Sequence, residues 1–149
     1  MKLFIFTTSL FLLKGATALS TTLHVPSQYA TIQKAIDMAQ DWDTIKVAPG
    51  TYVKSIIVNK RNIIILGDFP ETTILDAGGA PTTVTLVADN VEINGFTITN
   101  GNDNGILMVN SSGNRIVNCV FPDNSYDLNL TNSRNNVLRP VHIQNLRFR

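Results

Sequence analysis

The chain has 149 residues, with 12 Lys and Arg against 11 Asp and Glu, a formal charge of +1 and a single cysteine. Near-neutral charge argues against nucleic acid or an anionic membrane surface as the main partner, since both select a concentrated basic face, and one cysteine excludes an internal disulfide. What remains after a removable leader is one domain of ordinary size, about 130 residues.

The first element in chain order is an export signal. Lys2 supplies a positive start, Leu3 to Leu13 is apolar apart from Thr7, Thr8 and Ser9, and Ala16-Thr17-Ala18 has the small-x-small pattern of a cleavage site. The apolar run is shorter than the roughly 20 residues of a spanning helix. Residues 1–20 are therefore expected to be a signal peptide, leaving 21–149 as a secreted domain, extracellular or periplasmic. Loss of residues 1–18 removes Lys2 and Lys14, so ten basic side chains face eleven acidic ones.

Next comes a short amphipathic helix. Ile32, Ala35, Ile36 and Ala39 recur at helical spacing, which predicts a helix over 29–40 with Ser27 as N-cap. One helix before many strands suits the end of a solenoid, where open strand edges and apolar core need cover. Beyond it the period changes to two. Strands are expected at Thr44 to Ala48, broken by Pro49-Gly50, then at Ser55 to Val58, Asn62 to Leu66 and Thr73 to Leu75. Val84 to Val87, Val91 to Ile93 and Phe96 to Ile98 make another set, residues 105–121 a third, and residues 126–143 a less regular fourth.

These sets repeat about every 22 positions. Val84, Leu86 and Asn90 are answered by Ile106, Met108 and Asn114, then by Leu128, Leu130 and Asn136. A unit this short cannot bury its own apolar face, so it must stack on its neighbours. Asparagines mark the bends: Asn62, Asn90, Asn114 and Asn136 at one, Asn94 and Asn118 at another, where left-handed backbone and stacked amides suit Asn. Cys119 falls in phase with Val117 and Phe121 and reads as a small core residue.

The run Val25-Pro26-Ser27-Gln28-Tyr29-Ala30-Thr31-Ile32-Gln33-Lys34-Ala35-Ile36-Asp37, with Asp43 to Tyr52 after it, resembles the opening of the pectin-lyase-like superfamily of right-handed parallel β-helices. Val91 to Asn100 resembles the coil repeats of its secreted members, and residues 105–136 those of the NosD-type periplasmic subfamily. The fold implied is all-β: a right-handed parallel β-helix, a single-stranded solenoid of four to five coils, with the helix as its amino-terminal cap.

The superfamily's enzyme chemistries can be tested against the residues. Pectin methylesterases resemble this chain in the TIQ-A-I-D segment and the GTY, and their mechanism requires two Asp, oxyanion-holding Gln and an Arg. Only Asp127 falls at a matching position. Inverting hydrolysis by polygalacturonases and calcium-dependent pectate-lyase chemistry require motifs absent from the sequence. Asp76, Asp89, Asp103, Asp123 and Asp127 do not follow the spacing of a known calcium loop. His24, His142, Met38, Met108 and Cys119 are dispersed, without a copper-ligand motif. No metal or cofactor is expected; the aspartates could in principle supply calcium ligands, but no loop spacing supports it.

The leading expectation is a non-catalytic surface or secreted β-helix that binds polysaccharide, with Trp42, Tyr52 and Tyr126 as aromatic platforms. It is expected to be monomeric, with no nucleic-acid or integral membrane partner. The alternatives are an enzyme of pectinesterase or polysaccharide-lyase type, truncated after Arg149 where no evident cap follows Arg147-Phe148, and a NosD-like periplasmic copper-maturation protein. Asn110-Ser111-Ser112 and Asn129-Leu130-Thr131 are sequons, so in a eukaryotic secretory pathway Asn110 and Asn129 are expected glycan sites. Alternation with Leu128 and Leu130 predicts Asn129 on the outer surface.

Overall fold

The structure, a computed structural model, describes residues 19–149, so the expected signal segment lies outside the described residues apart from Leu19 and Ser20. The described chain opens with β1 (Thr22–Val25) and α1 (Ile32–Met38). Three-strand turns follow: β2 (Thr44–Val47), β3 (Gly50–Val53) and β4 (Ile56–Val58); β5 (Ile64–Leu66), β6 (Thr73–Asp76) and β7 (Thr82–Leu86); then β8 (Glu92–Asn94), β9 (Thr97–Thr99) and β10 (Asn104–Val109). The last two turns are β11 (Arg115–Val120) with β12 (Tyr126–Thr131), and β13 (Val137–His142) with β14 (Leu146–Phe148).

Each turn lays its strands parallel on those of the turn before. One stack runs β1-β2-β5-β8-β11-β13, a second β3-β6-β9, and a third β4-β7-β10-β12-β14. In the later turns the first and second stacks merge, because β11 runs on until Val120 pairs with Thr97 of β9. This is a parallel β-helix, as the repeat implied. The first stack has six rungs where four to five coils were expected. The difference lies in β1, which reads as an extended lead-in yet pairs with β2 from Thr22↔Thr44 to Val25↔Val47, and in residues 44–75, which read as one set but hold two stacked rungs, β2 and β5. Pro49-Gly50 likewise reads as a break, but Gly50 already pairs with Thr73.

Register explains the core. Leu23, Ile45, Ile65, Ile93 and Ile116 stack directly on one another along the first stack. Val84, Ile106 and Leu128 do so on the third, beside Leu86, Met108 and Leu130, as the 22-residue repeat predicts. All but Leu23 and Leu130 are fully enclosed, and those two are nearly so. Cys119 joins this core, with its thiol directed at the Val117 carbonyl 3.2 Å away. Burial pushes the thiol up to about 11, outweighing backbone hydrogen bonds from Phe96, Gly95 and Val117 that act the other way.

The helix is shorter than its periodicity suggested. It begins at Ile32 because Thr31, extended at φ −138°, accepts from the Lys34 N–H at 3.2 Å; Thr31, not Ser27, is the N-cap. Its apolar stripe of Ile32, Ala35 and Ile36 is buried against β1, β2 and β4. Gln33 faces the third stack, where its amide accepts from the Ile57 N–H at 2.8 Å and donates to the Ile57 carbonyl at 3.1 Å. The helix thus takes the place of a strand above β4.

The bends shift by one residue from the sequence alignment of asparagines. The positive-φ position before the first stack is held by Trp42 (76°), Asn62 (55°), Asn90 (55°), Gly113 (70°) and Asn135 (57°). Asn114 and Asn136 come one position later and turn into the interior. At the next bend the left-handed residues are Gly95 (82°) and Asn118 (48°), while Asn94 pairs with Val117. Gly and Asn substitute for each other where φ is positive, so aligning Asn with Asn slips the register.

The interior asparagines have a specific task. Asn114 Oδ1 accepts from the Val91 N–H, and Asn136 Oδ1 from the Asn114 N–H, each at 2.9 Å. Asp43 occupies the same position two turns before Val91, and its Oδ1 accepts from the Thr21 N–H at 2.8 Å. A side-chain oxygen one turn on satisfies a main-chain donor that no strand reaches.

Candidate functional site

The column of bends before the first stack forms one wall of a surface groove. It has a volume of about 520 Å³ and is lined by Trp42, Asn62, Ile64, Asn90, Glu92 and Arg115 among others. Trp42 stands at one end with 64% of its surface exposed, an unusual state for the only tryptophan of the chain. Its backbone N–H donates to Asn62 O at 2.7 Å, which fixes the left-handed bend that turns the ring outward.

Below Trp42 the side chains form a linked row. Asn62 Nδ2 donates to Asp41 Oδ2 at 2.8 Å, and Asn90 Nδ2 donates to Asn62 Oδ1 at 3.2 Å. Asp41 is also paired with Arg61 at 3.3 Å. Gly113 ends the row for a steric reason: a Cβ there would stand 2.5 Å from Asn90 Oδ1. The opposite wall is the pair Glu92–Arg115, register partners on β8 and β11, with Nε donating to Oε2 at 2.9 Å. The floor includes Ile64, 39% exposed. From Trp42 to Arg115 the groove crosses three rung steps of about 4.8 Å each. Chemically it offers an apolar ring, a strip of exposed aliphatic carbon, and amides and an ion pair at regular spacing.

The three aromatic candidates do not converge. Tyr52 lines a separate space of about 270 Å³ beside α1, and its hydroxyl donates to Ala48 O at 2.8 Å. Tyr126 lies on the third stack beneath the Arg147 guanidinium, 4.7 Å from the ring centre. Only Trp42 belongs to the groove. The amides of Asn62 and Asn90 and the Glu92–Arg115 pair were not singled out as site residues in the sequence. The 23-residue spacing of opposite charges at an outward position was the signal that could have found the pair.

Asp127, the catalytic candidate, is 2% exposed at the edge of a different cavity of about 370 Å³. Its Oδ2 accepts from the Gln144 and Asn145 N–H groups at 2.6 and 3.2 Å, which ties the last described turn to β12. Asn129 is a correction. It is 5% exposed, not on the open surface, and its Nδ2 donates to Asn104 Oδ1 at 2.9 Å. Alternation sets only the direction of the Cβ; here the buried Asn104 lies against the amide. Asn110 is exposed.

A model of the family described as "Periplasmic copper-binding protein (NosD)" matches residues 39–146, which takes in the strands from β2 to β13. The chain belongs to the NosD family. The chain is also 37% identical over 98 residues to a cell surface glycoprotein of Methanothermus fervidus, a match covering 64% of this chain and 16% of that protein. A periplasmic family and a cell-surface relative agree with an exported, extracytoplasmic location.

Among the described residues no three His, Cys, Asp or Glu side chains come together. Met108 and Cys119 are sealed in the core, His24 is on β1 and His142 on β13, and Met38 is exposed at the end of α1. Soft and imidazole donors are therefore spread over the whole length of the solenoid and do not fit a copper site. As to membranes, no helix among the described residues is long and apolar enough to cross one.

Proposed function

We propose that this NosD-family chain is a non-catalytic extracytoplasmic β-helix that holds a polysaccharide along the groove from Trp42 to Arg115. The observation that carries the reading is the exposed indole of Trp42 at the head of a row of amides. An aromatic face packs against the C–H face of a sugar ring, and a few placed polar groups select its hydroxyls. A polymer repeats along its length, and so does the wall of a solenoid. Asp127 has no part in this reading, since its buried Oδ2 holds main-chain N–H groups.

Affinity electrophoresis in gels cast with a panel of neutral and acidic polysaccharides tests the proposal. Retardation in at least one polysaccharide is expected, weakened at least tenfold by Trp42→Ala and unchanged by Tyr126→Phe. Absence of retardation in the whole panel would sink the binding reading. Methanol release from methylated pectin, or unsaturated product formed with calcium, would overturn the non-catalytic one.

A further inference from the structure

Two copies of the same tripeptide motif meet opposite fates in this fold. Asn110 follows β10 at φ 49°, on the corner between the third and first stacks, and is exposed. Its main chain is held, since its N–H donates to Thr131 O at 3.0 Å, and Ser112 is anchored through its N–H to Asp89 Oδ1 at 2.7 Å. The carboxamide is not used. Asn62, Asn90, Asn104, Asn114 and Asn124 all spend their side chains on hydrogen bonds to a neighbouring turn, whereas that of Asn110 engages none among the described residues.

Asn129 differs in position, in exposure and in the use of its amide. It lies within β12, pairs with Leu107 on one side and Arg147 on the other, and is 5% exposed. Its Nδ2, the atom a glycan would take, already donates to the buried Asn104 Oδ1.

We infer that Asn110 is an N-glycan acceptor and that the fold excludes Asn129. In the transfer, the Asn110 Nδ2 forms a bond to C1 of a sugar carried on a polyprenyl phosphate or pyrophosphate. The C1–O bond to the carrier breaks, the carrier leaves as its phosphate, and the amide nitrogen gives up one proton. The co-reactants are the lipid-linked oligosaccharide and the oligosaccharyltransferase of an exporting cell. At Asn110 the product extends into solvent without disturbing a rung. At Asn129 the same bond would replace one hydrogen of an Nδ2 that lies 2.9 Å from Asn104 Oδ1 and set a sugar into a site that is 5% exposed.

The test is expression of the full chain in a eukaryotic secretory host, purification of the folded secreted protein, and enzymatic deglycosylation in heavy-oxygen water. Peptide mass mapping then marks each formerly glycosylated asparagine. Label at Asn110 and none at Asn129 is the expected result, with the glycan lost in Ser112→Ala, which leaves the corner residue itself intact. A glycan on Asn129 in folded protein overturns the inference, and so does a bare Asn110 alongside glycosylated host proteins from the same preparation.

Discussion

The position just before each first-stack strand is filled differently in the middle of the solenoid and in its last turns. In the middle it holds Ile63 and Val91, both without solvent exposure, which simply extend the apolar core. In the last turns it holds Asn114 and Asn136, whose Oδ1 atoms each take a main-chain N–H from the turn before. The two solutions occupy one place in one fold, and they differ in what they demand. An apolar residue is stabilised by burial alone and tolerates a swap of similar volume. A buried amide must be satisfied, and the Nδ2 atoms of Asn114 and Asn136 have no partner among the described residues. The middle turns hold by packing, the last ones by a polar ladder with less margin.

Deleting packing in the middle turns should have the largest effect. Ile65→Ala, between Ile45 and Ile93, should lose about 2–5 kcal/mol in urea unfolding, as large-to-small core substitutions do. A loss below 1 kcal/mol would mean that the middle turns are not held by their core. A smaller effect is expected in the ladder. Asn114→Ala strands the buried Val91 N–H and should cost about 1–3 kcal/mol. Asn114→Val would sharpen the contrast: if it proves as stable as the parent, the last turns can be run on packing too.

The smallest effect is conditional on pH and concerns Asp43, the acidic counterpart of the ladder at the other end. Burial raises its pKa, but N–H donors from Gln40 and Thr21 and the Thr21 hydroxyl more than offset that, so its carboxyl titrates below the ordinary 3.8. A lowered folded-state pKa means that its stabilisation is complete above the unfolded value and is lost as pH falls through the folded one. Asp43→Asn should therefore unfold more easily than the parent at neutral pH, with the gap closing below about pH 3.8 as the parent is protonated. Melting curves from pH 7 to pH 2 would show this, and a gap constant across the range would exclude it.

Much of the fold could be read from the order of side chains, because a solenoid writes its register into the sequence. Val84, Ile106 and Leu128 are partners in space at the spacing they have in the chain. The bends were harder, since Gly113 and Asn90 are equivalent in conformation and unlike in letter. The groove was legible only at Trp42. Whether Asn62 and Asn90 are exposed amides or interior ones depends on a one-residue shift, and that shift reverses the face. Asn129 failed for a related reason: the period of two gives direction, but cover comes from Asn104, 25 residues away.

The two hydrogen bonds between Gln33 and Ile57 carry a consequence for self-assembly. The Gln33 amide turns its acceptor and one of its two N–H donors toward the same main-chain residue, so it presents β4 with a counterfeit of one strand residue, while the other N–H goes to Asp37 at 2.9 Å. A second chain arriving at that edge finds the Ile57 main chain already occupied, by a group that is rooted in a helix and cannot pass the pairing on. At Ile57 a further rung can be added only by displacing that one side chain.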